Sequence, residues 1–393
     1  MDTVRRPRLP TGRTADLDDR GALFYREVHG PPGAPTLVLL HGWTITADLN
    51  FHPFYEQLGR HFRVLAPDQR GHGRGIRSQA RFALEDCADD VAALCRQLGI
   101  DRAIVCGYSM GGTIAQLAWR RHPVLVEGLV LSATASRFTE SRRDRAMFAA
   151  LGGLSYMGRR LPEHLKQRIG LGLLHRHDDS VDPWVLEELA RHDWARVGEA
   201  GIAIGQFDSS SWIGTIDVPT SAIVTLHDDV VDPMRQLRMS RTIPGCDLTI
   251  IEGEHAVCAT DPVRFGEILE GACRDVARRA HGRTAHRTHA ISSRSRFEMP
   301  RRSLRERILH GPRAALSRRW GRFDTDAAAA ADATSAAGPH RVDASEVAAA
   351  PAATGGSFNV WRVAPGPPER ADQPTDSLTA TSANYEADDA ASA

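Results

Sequence analysis

Lysine is almost absent from this sequence: Lys166 is the only one among 393 residues, so nearly all of the 49 basic side chains are arginines. Schiff-base chemistry is therefore excluded outside Lys166, which lies in a polar helical stretch typical of a solvated surface. Acidic side chains also number 49, so no net charge favours nucleic acid. We expect a small-molecule substrate and no specific nucleic-acid partner, and the oligomeric state stays unassigned.

Paired cysteines and long apolar runs are missing as well. The six cysteines contain no CxxC pair, which argues against a disulfide framework or a zinc site and favours reduced, buried thiols. No apolar run approaches the roughly eighteen residues of a membrane helix. The basic segment 1–10 is not followed by the apolar core of a signal peptide. The sequence predicts a cytoplasmic protein that needs no metal and no cofactor.

Short apolar runs alternate with helical patterns up to residue 135. The runs are bounded by Gly, Pro or Asp and have the length of buried strands in a mostly parallel sheet: Thr36 to Leu40, Val64 to Ala66, Ala103 to Cys106 and Gly128 to Leu131. Glu85 to Leu98 has the apolar stripe of an amphipathic helix. Ala22 to Val28 is predicted as an antiparallel edge strand. The pattern indicates an α/β fold with helices on both faces of the sheet.

The strand pattern stops between residues 136 and 215, where three helices are predicted at Met147–Leu154, Leu161–Leu174 and Pro183–Ala195. It resumes with Thr220 to Thr225 and Leu248 to Ile251, followed by a helix from about Pro262 to Cys273. We therefore predict an α/β core from residues 1–135 and 216–276. The insertion 136–215 is predicted as a helical cap over the carboxyl ends of the strands, where open sheets bind ligands.

Residues 277–393 have a different composition, with an arginine-rich stretch at 278–322 followed by segments rich in Ala, Pro and Ser. Too little apolar material is present there to offset the entropy of an ordered chain, so a mostly disordered tail is predicted. A second interpretation is a basic amphipathic helix at Ser303–Trp320 that makes weak contact with anionic lipid or RNA.

A serine motif follows the apolar run Ala103 to Cys106. The order Gly107-Tyr108-Ser109-Met110-Gly111 joins the run AIVC to a helical pattern over Thr113–Arg121. A serine at such a junction lies on a sharp turn that needs small neighbours, and the following helix directs its N-terminus at a developing oxyanion. Ser109 is therefore the candidate nucleophile, supported by Gly107 and Gly111.

A serine nucleophile needs a base and a carboxylate, which in a strand-turn-helix arrangement follow it in the order acid, then histidine. The run LTII is followed by His255, the candidate base. The preceding run, TSAIVT, is followed by three aspartates, Asp228, Asp229 and Asp232. The residue types and their order leave the choice among these three carboxylates open.

The oxyanion hole is predicted at His41-Gly42-Trp43, directly after TLVLL. Backbone N–H groups of Trp43 and Met110 would bind the oxyanion, and Gly42 would allow close approach of the backbone. His41 is a supporting residue of this loop.

Residues 20–275 resemble the α/β-hydrolase superfamily, in its serine-nucleophile esterase, lactonase and perhydrolase-like members. The resemblance depends on HGW at 41–43, DQRGHG at 68–73, GYSMGG at 107–112 and the later Asp and His loops. The superfamily often has Pro four residues after its acid, which selects Asp229 here. The resemblance also implies that Asp68, Arg70 and His72 form a structural loop outside the triad. Glu254 departs from the glycine that is common before the histidine.

These features predict a serine hydrolase that cleaves a small or medium carboxylester, lactone or thioester through an acyl-enzyme. The alternative is a ligand-binding or regulatory member of the fold with weak turnover. Four aromatic residues of the cap either line an acyl pocket or pack the cap: Trp184, Trp194, Phe207 and Trp212.

Overall fold

The computed structural model describes residues 6–140, 142, 144, 148 and 182–294. Within these residues eight strands form one sheet in the order β1-β2-β4-β3-β5-β6-β7-β8. The first two pairings, β1 with β2 and β2 with β4, are antiparallel, and all the others are parallel. The strands are β1 Gly12–Asp16, β2 Ala22–Val28, β3 Thr36–Leu40, β4 Arg63–Pro67, β5 Ala103–Tyr108, β6 Val126–Ser132, β7 Thr220–Thr225 and β8 Asp247–Ile251.

The central strands are apolar throughout because both faces of the sheet are covered. In β3, Val38 and Leu40 belong to one core layer, whereas Leu37 and Leu39 belong to the layer on the opposite face. All five residues of this strand are buried. Each predicted run in this sheet is a strand, and the predicted α/β-hydrolase architecture is confirmed.

The prediction that β2 is the edge strand was wrong. The structure pairs β1 with its outer side, from Gly12 opposite Arg26 to Asp16 opposite Ala22. The sequence of β1, GRTAD, exposes four of its five residues. A strand that buries a single side chain has no apolar alternation, so the pattern gave no sign of it.

Helices cover both faces of the sheet. They are α1 Ala47–Phe51, α2 Tyr55–Gly59, α3 Leu84–Gln97, α4 Met110–Arg121, α5 Pro183–Leu189, α6 Trp194–Gln206, α7 Pro233–Thr242, α8 Val257–Thr260 and α9 Pro262–Arg294. Short 3-10 turns lie at Asp18–Arg20, His52–Phe54 and Ile213–Thr215. In the part of the chain described, no helix is long and apolar enough to cross a bilayer.

The last helix continues past the predicted core boundary at residue 276. Val276 and Ala280 are buried, and the Arg279 guanidinium donates to the Thr220 carbonyl at 3.0 Å and to Ser221 Oγ at 2.9 Å. These contacts dock α9 on β7 beyond Cys273, so the start of the predicted disordered tail at 277 was wrong. The rest of that tail, from residue 295, lies outside the described residues.

The described part of the insertion contacts the loops that follow β3 and β4, since Trp43 Nε1–H donates to the Val197 carbonyl at 2.7 Å and Asp193 N–H donates to the Gly71 carbonyl at 2.9 Å. Its two ends meet in an antiparallel bridge between Arg137 and Asp208, and Ser209 N–H donates to the Ser136 carbonyl at 2.8 Å. The helix predicted over Pro183–Ala195 is two helices, α5 and α6, because Asp193 caps the second by accepting from Ala195 N–H at 3.1 Å. The helices predicted at Met147–Leu154 and Leu161–Leu174 lie outside the described residues, apart from Phe148.

Candidate active site

Ser109 lies on a strained turn between β5 and α4. Its φ of 53° and ψ of −115° fall in a region that L-residues rarely adopt. Its N–H donates to the Ser132 carbonyl at 2.9 Å, which ties the turn to the neighbouring strand β6. This geometry raises the side chain above the carboxyl edge of the sheet, where Ser109 was predicted to act.

The glycines around Ser109 are required by close backbone approach. A Cβ on Gly107 would lie 2.1 Å from the Gly111 carbonyl oxygen, and one on Gly111 would lie 1.9 Å from the Leu40 carbonyl oxygen. On Gly112 it would lie 2.4 Å from Thr134 Cγ2. No side chain fits these spaces, so the motif is a packing requirement of the turn.

We predict that Gly111→Ala destabilises the protein by about 3 kcal/mol, because the added methyl collides with backbone of β3 that cannot rotate away. Gly271→Ala is the matched control, since it also adds a methyl to a helical glycine but meets nothing within 4 Å. That control should gain about 0.5–1 kcal/mol from helix propensity. Urea unfolding of both variants measures the difference, and equal stability of the two would contradict the packing argument.

His255 lies beside the nucleophile. Its Nε2 is 3.0 Å from Ser109 Oγ, within hydrogen-bonding distance. Its loop is fixed from below by Tyr108, whose hydroxyl donates to the His255 carbonyl and whose ring centroid is 5.9 Å from the imidazole. The residue that precedes Ser109 therefore also holds the histidine. Glu254, by contrast, is exposed.

The carboxylate beside His255 belongs to Asp228, and the selection of Asp229 was wrong. Asp228 Oδ2 is 2.8 Å from His255 Nδ1, and its side chain is 0% exposed. Asp229 and Asp232 are exposed, and Asp232 caps α7 by accepting from Met234 N–H at 2.7 Å. The turn after β7 directs residue 228 inward because its Oδ1 accepts from the N–H groups of Val230 and Val231 at 2.9 and 2.7 Å.

Two polar side chains complete the surroundings of Asp228 and were not predicted. Thr225 Oγ1 donates to Asp228 Oδ2 at 2.6 Å, and Gln236 Nε2 donates to the same oxygen at 2.9 Å. The Gln236 amide is itself oriented, since Nε2 donates to the Val231 carbonyl at 2.7 Å and Oε1 accepts from Thr225 N–H at 3.2 Å. Gln236 is one of several polar residues on α7, so the sequence does not indicate that this one is buried.

These contacts assign the protons of the relay. Asp228 Oδ2 already accepts from Thr225 and Gln236, so it acts as an acceptor toward His255 as well. The Nδ1 of His255 therefore carries the hydrogen, and Nε2 has a free lone pair directed at the Ser109 hydroxyl. The three side chains can pass a proton from the alcohol to the imidazole.

The predicted oxyanion segments meet at Ser109. A Cβ built on Gly42 would lie 3.6 Å from Ser109 Cβ, and α4 begins at Met110. Gly42 N–H donates to Asn50 Oδ1 at 2.9 Å, and Asn50 Nδ2 lies 3.4 Å from Cys258 Sγ. Asn50, which was not predicted, thus fixes the backbone next to Trp43.

Three buried histidines form a row from this loop to the cap. His41 Nε2 accepts from Gln69 N–H, and His192 Nδ1 accepts from Gly73 N–H, both at 2.8 Å. The His72 ring lies between them, with its centroid 5.4 Å from each of the other two. Burial lowers the pKa of all three to about 3, so the rings are neutral near pH 7.

We predict that these histidines make stability fall with acid. Their pKa is lower in the native state than in the unfolded chain. Their contribution to the free energy of unfolding is therefore fully present above about pH 6.5 and is lost as the pH falls toward 3. In that range each histidine lowers the free energy of unfolding by up to about 1.4 kcal/mol per pH unit. Burial raises the pKa of Asp68 and of Glu188, and these two carboxyl groups therefore oppose the trend.

Comparison with His192→Gln isolates the effect of one ring. Urea unfolding at pH 7, 6 and 5 should show a pH dependence that is shallower in the variant than in the wild type, by about one proton. Parallel curves for the two proteins would contradict the assignment of His192 as a neutral native-state group.

The remaining predicted residues have structural contacts. The Arg70 guanidinium makes two 2.7 Å hydrogen bonds with Asp90, and Asp68 accepts from Ala47 N–H at 2.9 Å, so both lie outside the triad as predicted. Among the described residues, no group of three or more His, Cys, Asp or Glu could hold a metal ion.

The cap aromatics make packing contacts. Trp184 and Phe207 are buried in core clusters, and Trp212 stacks on Trp119 with ring centroids 6.2 Å apart. Trp194 packs edge-on against His192. These contacts favour the packing alternative over a pocket lining.

Residues 35–262 match the model of a family described as the alpha/beta hydrolase fold. A pimeloyl-[acyl-carrier protein] methyl ester esterase of Neisseria meningitidis is 30% identical over 65% of this chain and 81% of that protein. A putative carbamate hydrolase of Serratia proteamaculans is 29% identical over 63% and 95%. The enol-lactonase from Burkholderia xenovorans LB400 shares the fold, with a TM-score of 0.56 and 23% identity over 65% of this chain and 98% of that one. Since the family model covers more than half of the sequence, the chain belongs to the α/β-hydrolase fold family.

Proposed function

We propose that this α/β hydrolase cleaves ester bonds of a small or medium substrate through a Ser109–His255–Asp228 triad and an acyl-enzyme. The observation that carries the proposal is the continuous chain of contacts, 3.0 Å from Ser109 Oγ to His255 Nε2 and 2.8 Å from His255 Nδ1 to Asp228 Oδ2. Three loops that follow three different strands supply these side chains. Such a relay is the requirement for activating an alcohol.

In the acylation step, His255 Nε2 removes the Ser109 hydroxyl proton as Oγ attacks the substrate carbonyl carbon. Asp228 stabilises the imidazolium that forms, because its carboxylate accepts the Nδ1–H. The negative charge on the carbonyl oxygen is bound by the backbone N–H groups of Trp43 and Met110. His255 then gives its proton to the departing alcohol, and Ser109 is left as an ester of the acyl group.

In the second step, water replaces the alcohol. His255 Nε2 takes a proton from the water as it attacks the acyl carbon, and the same oxyanion groups bind the second tetrahedral intermediate. Collapse returns the proton from His255 to Ser109 Oγ and releases the carboxylic acid. The product therefore carries one oxygen from water.

The relatives support the class of substrate. By their names, one relative is a methyl ester esterase and another a putative carbamate hydrolase, and a structural relative is an enol-lactonase. The substrates in these names are all carboxylic or carbamic acid derivatives with a carbonyl carbon open to attack. A serine nucleophile and a water-activating histidine suit each of them.

Labelling with a fluorophosphonate probe tests the proposal. We expect a single covalent adduct, located by peptide mass spectrometry on Ser109, and a burst of p-nitrophenol from p-nitrophenyl esters when acylation is faster than deacylation. A panel of acyl esters, lactones and thioesters then ranks the leaving groups. A protein that neither reacts at Ser109 nor hydrolyses any member of the panel would favour the ligand-binding alternative.

A further inference from the structure

We infer that the cap helices α5 and α6 position the oxyanion loop, defined as residues 41–46, so that the backbone of Trp43 is correctly directed only while the cap is seated. This inference rests on the proposed function, because it assigns the Trp43 N–H to oxyanion binding. It makes His192, Val197 and Gly201 positioning residues, which act through the loop and do not touch the substrate.

The strongest contact is made by the Trp43 side chain. Its Nε1–H donates to the Val197 carbonyl of α6 at 2.7 Å. The six-membered ring of the indole also packs against the same helix at Gly201, where a Cβ would be only 2.6 Å from Trp43 Cζ2. Gly201 therefore leaves the space that the indole fills, and the hydrogen bond fixes the ring within it.

The next residue of the loop is held by His192, just before α6. The Nε2–H of His192 donates to the Thr44 carbonyl at 3.0 Å, while its Nδ1 accepts from Gly73 N–H. Thr44 has a φ of 64°, a left-handed conformation that is unfavourable for a residue branched at Cβ. A strained residue keeps such a conformation only when its surroundings impose it.

The two following residues contact α5. Ile45 packs in a cluster with Trp184, Val185 and Leu189, and Thr46 Oγ1 donates to Glu188 Oε2 at 3.3 Å. Each residue from 43 to 46 thus has a contact with the cap.

Core contacts are found at both ends of the loop. Gly42 N–H donates to Asn50 Oδ1, and Ala47 N–H donates to Asp68 Oδ1, both at 2.9 Å. Between these two points the backbone follows a path supported by α5 and α6. Displacement of α6 should therefore reorient the Trp43 N–H while Ser109, His255 and Asp228 stay in place.

The consequence is a separation of effects on kcat and KM. An N–H that binds the oxyanion interacts more strongly with the transition state than with the substrate, so its misplacement lowers kcat and leaves KM almost unchanged. Removal of one oxyanion donor costs about 10²–10³-fold in rate. A displaced donor should cost about 10- to 100-fold, within that limit.

The experiment compares Gly201→Ala with Gly205→Ala in the full chain. Both add a methyl to α6, but at Gly205 it meets Phe148 Cγ at 2.4 Å and not the oxyanion loop. We measure kcat, KM and the inhibition constant of a trifluoromethyl ketone, which forms a tetrahedral oxyanion adduct on a serine nucleophile. Gly201→Ala should weaken the ketone by the same factor as kcat/KM, whereas Gly205→Ala should leave ketone affinity within about threefold of the wild type.

Trp43→Phe is the second variant, in case Gly201→Ala does not fold. It removes both the donor to Val197 and the outer indole atoms that pack at Gly201, so kcat and ketone affinity should again fall together. Unchanged kcat and ketone affinity in both variants, or equal losses in Gly205→Ala, would overturn the inference. Absence of fluorophosphonate labelling in the wild type would instead refute the proposed function, so the two failures are distinguishable.

Discussion

Asp228→Asn is expected to lower kcat about 10⁴-fold, whereas Asp229→Asn should leave it within about twofold of the wild type. An amide at position 228 can present its NH₂ to His255 Nδ1 and favour the tautomer with hydrogen on Nε2, which cannot accept the Ser109 proton. The imidazolium formed during attack would also lose its carboxylate partner. Asp229 is exposed, and the carboxylate that contacts His255 Nδ1 is that of Asp228.

The two variants control for each other because they exchange the same groups one residue apart. Steady-state kinetics on a reactive ester should be measured beside thermal unfolding, since Asp228 also accepts backbone N–H bonds from Val230 and Val231. Loss of activity in a folded Asp228→Asn protein supports the assignment. Loss in Asp229→Asn with normal activity in Asp228→Asn would reverse it and require a rearranged loop.

Ser109→Ala is expected to lower kcat by about 10⁵- to 10⁶-fold and to abolish fluorophosphonate labelling. Alanine offers no hydroxyl at the 3.0 Å position from which His255 Nε2 removes a proton, so the acyl-enzyme cannot form at residue 109. Some acceleration over water should persist, because the oxyanion groups and substrate binding remain. Activity should therefore fall to a low plateau.

Ser109→Gly separates chemistry from backbone strain. Both variants lack the hydroxyl, so both should keep only the low residual rate, but glycine adopts a φ of 53° without strain whereas alanine is strained there. The glycine variant should be more stable than the alanine variant by about 1 kcal/mol in urea unfolding. Residual activity in both variants close to that of the wild type would rule out Ser109 as the nucleophile.

The positions of the candidate nucleophile and base were predictable because one depends on residues close in sequence and the other on the order of the loops along the chain. The glycines around Ser109 reflect backbone contacts within a few residues of the turn and with β3, and His255 follows the last apolar run. Parallel strands place the loops after them at one edge of the sheet, so order along the chain implied proximity in space. The roles of both residues in catalysis remain predictions until the variants are measured.

The choice of acid was not predictable from the same signals. Asp228, Asp229 and Asp232 share one loop, and the spacing to Pro233 favoured the second of them. A turn that aims one carboxylate inward depends on which backbone N–H groups it meets, here those of Val230 and Val231. Neighbouring residues of such a turn point in different directions, and the residue types alone do not show which of them points inward.

The sequence by itself determined the order of the candidate site residues along the chain: a serine turn, then an acid loop, then a histidine loop. It also determined the α/β sheet that carries them, because the strands are apolar on both faces. Tertiary structure decided which aspartate touches the imidazole, that Gln236 and Asn50 each turn back from the next helix to bond a residue of the preceding loop, and that α6 contacts Trp43 from more than 150 residues away. The physical reason is that strands and turns depend on neighbours a few residues away, whereas these hydrogen bonds join groups that become neighbours only after folding.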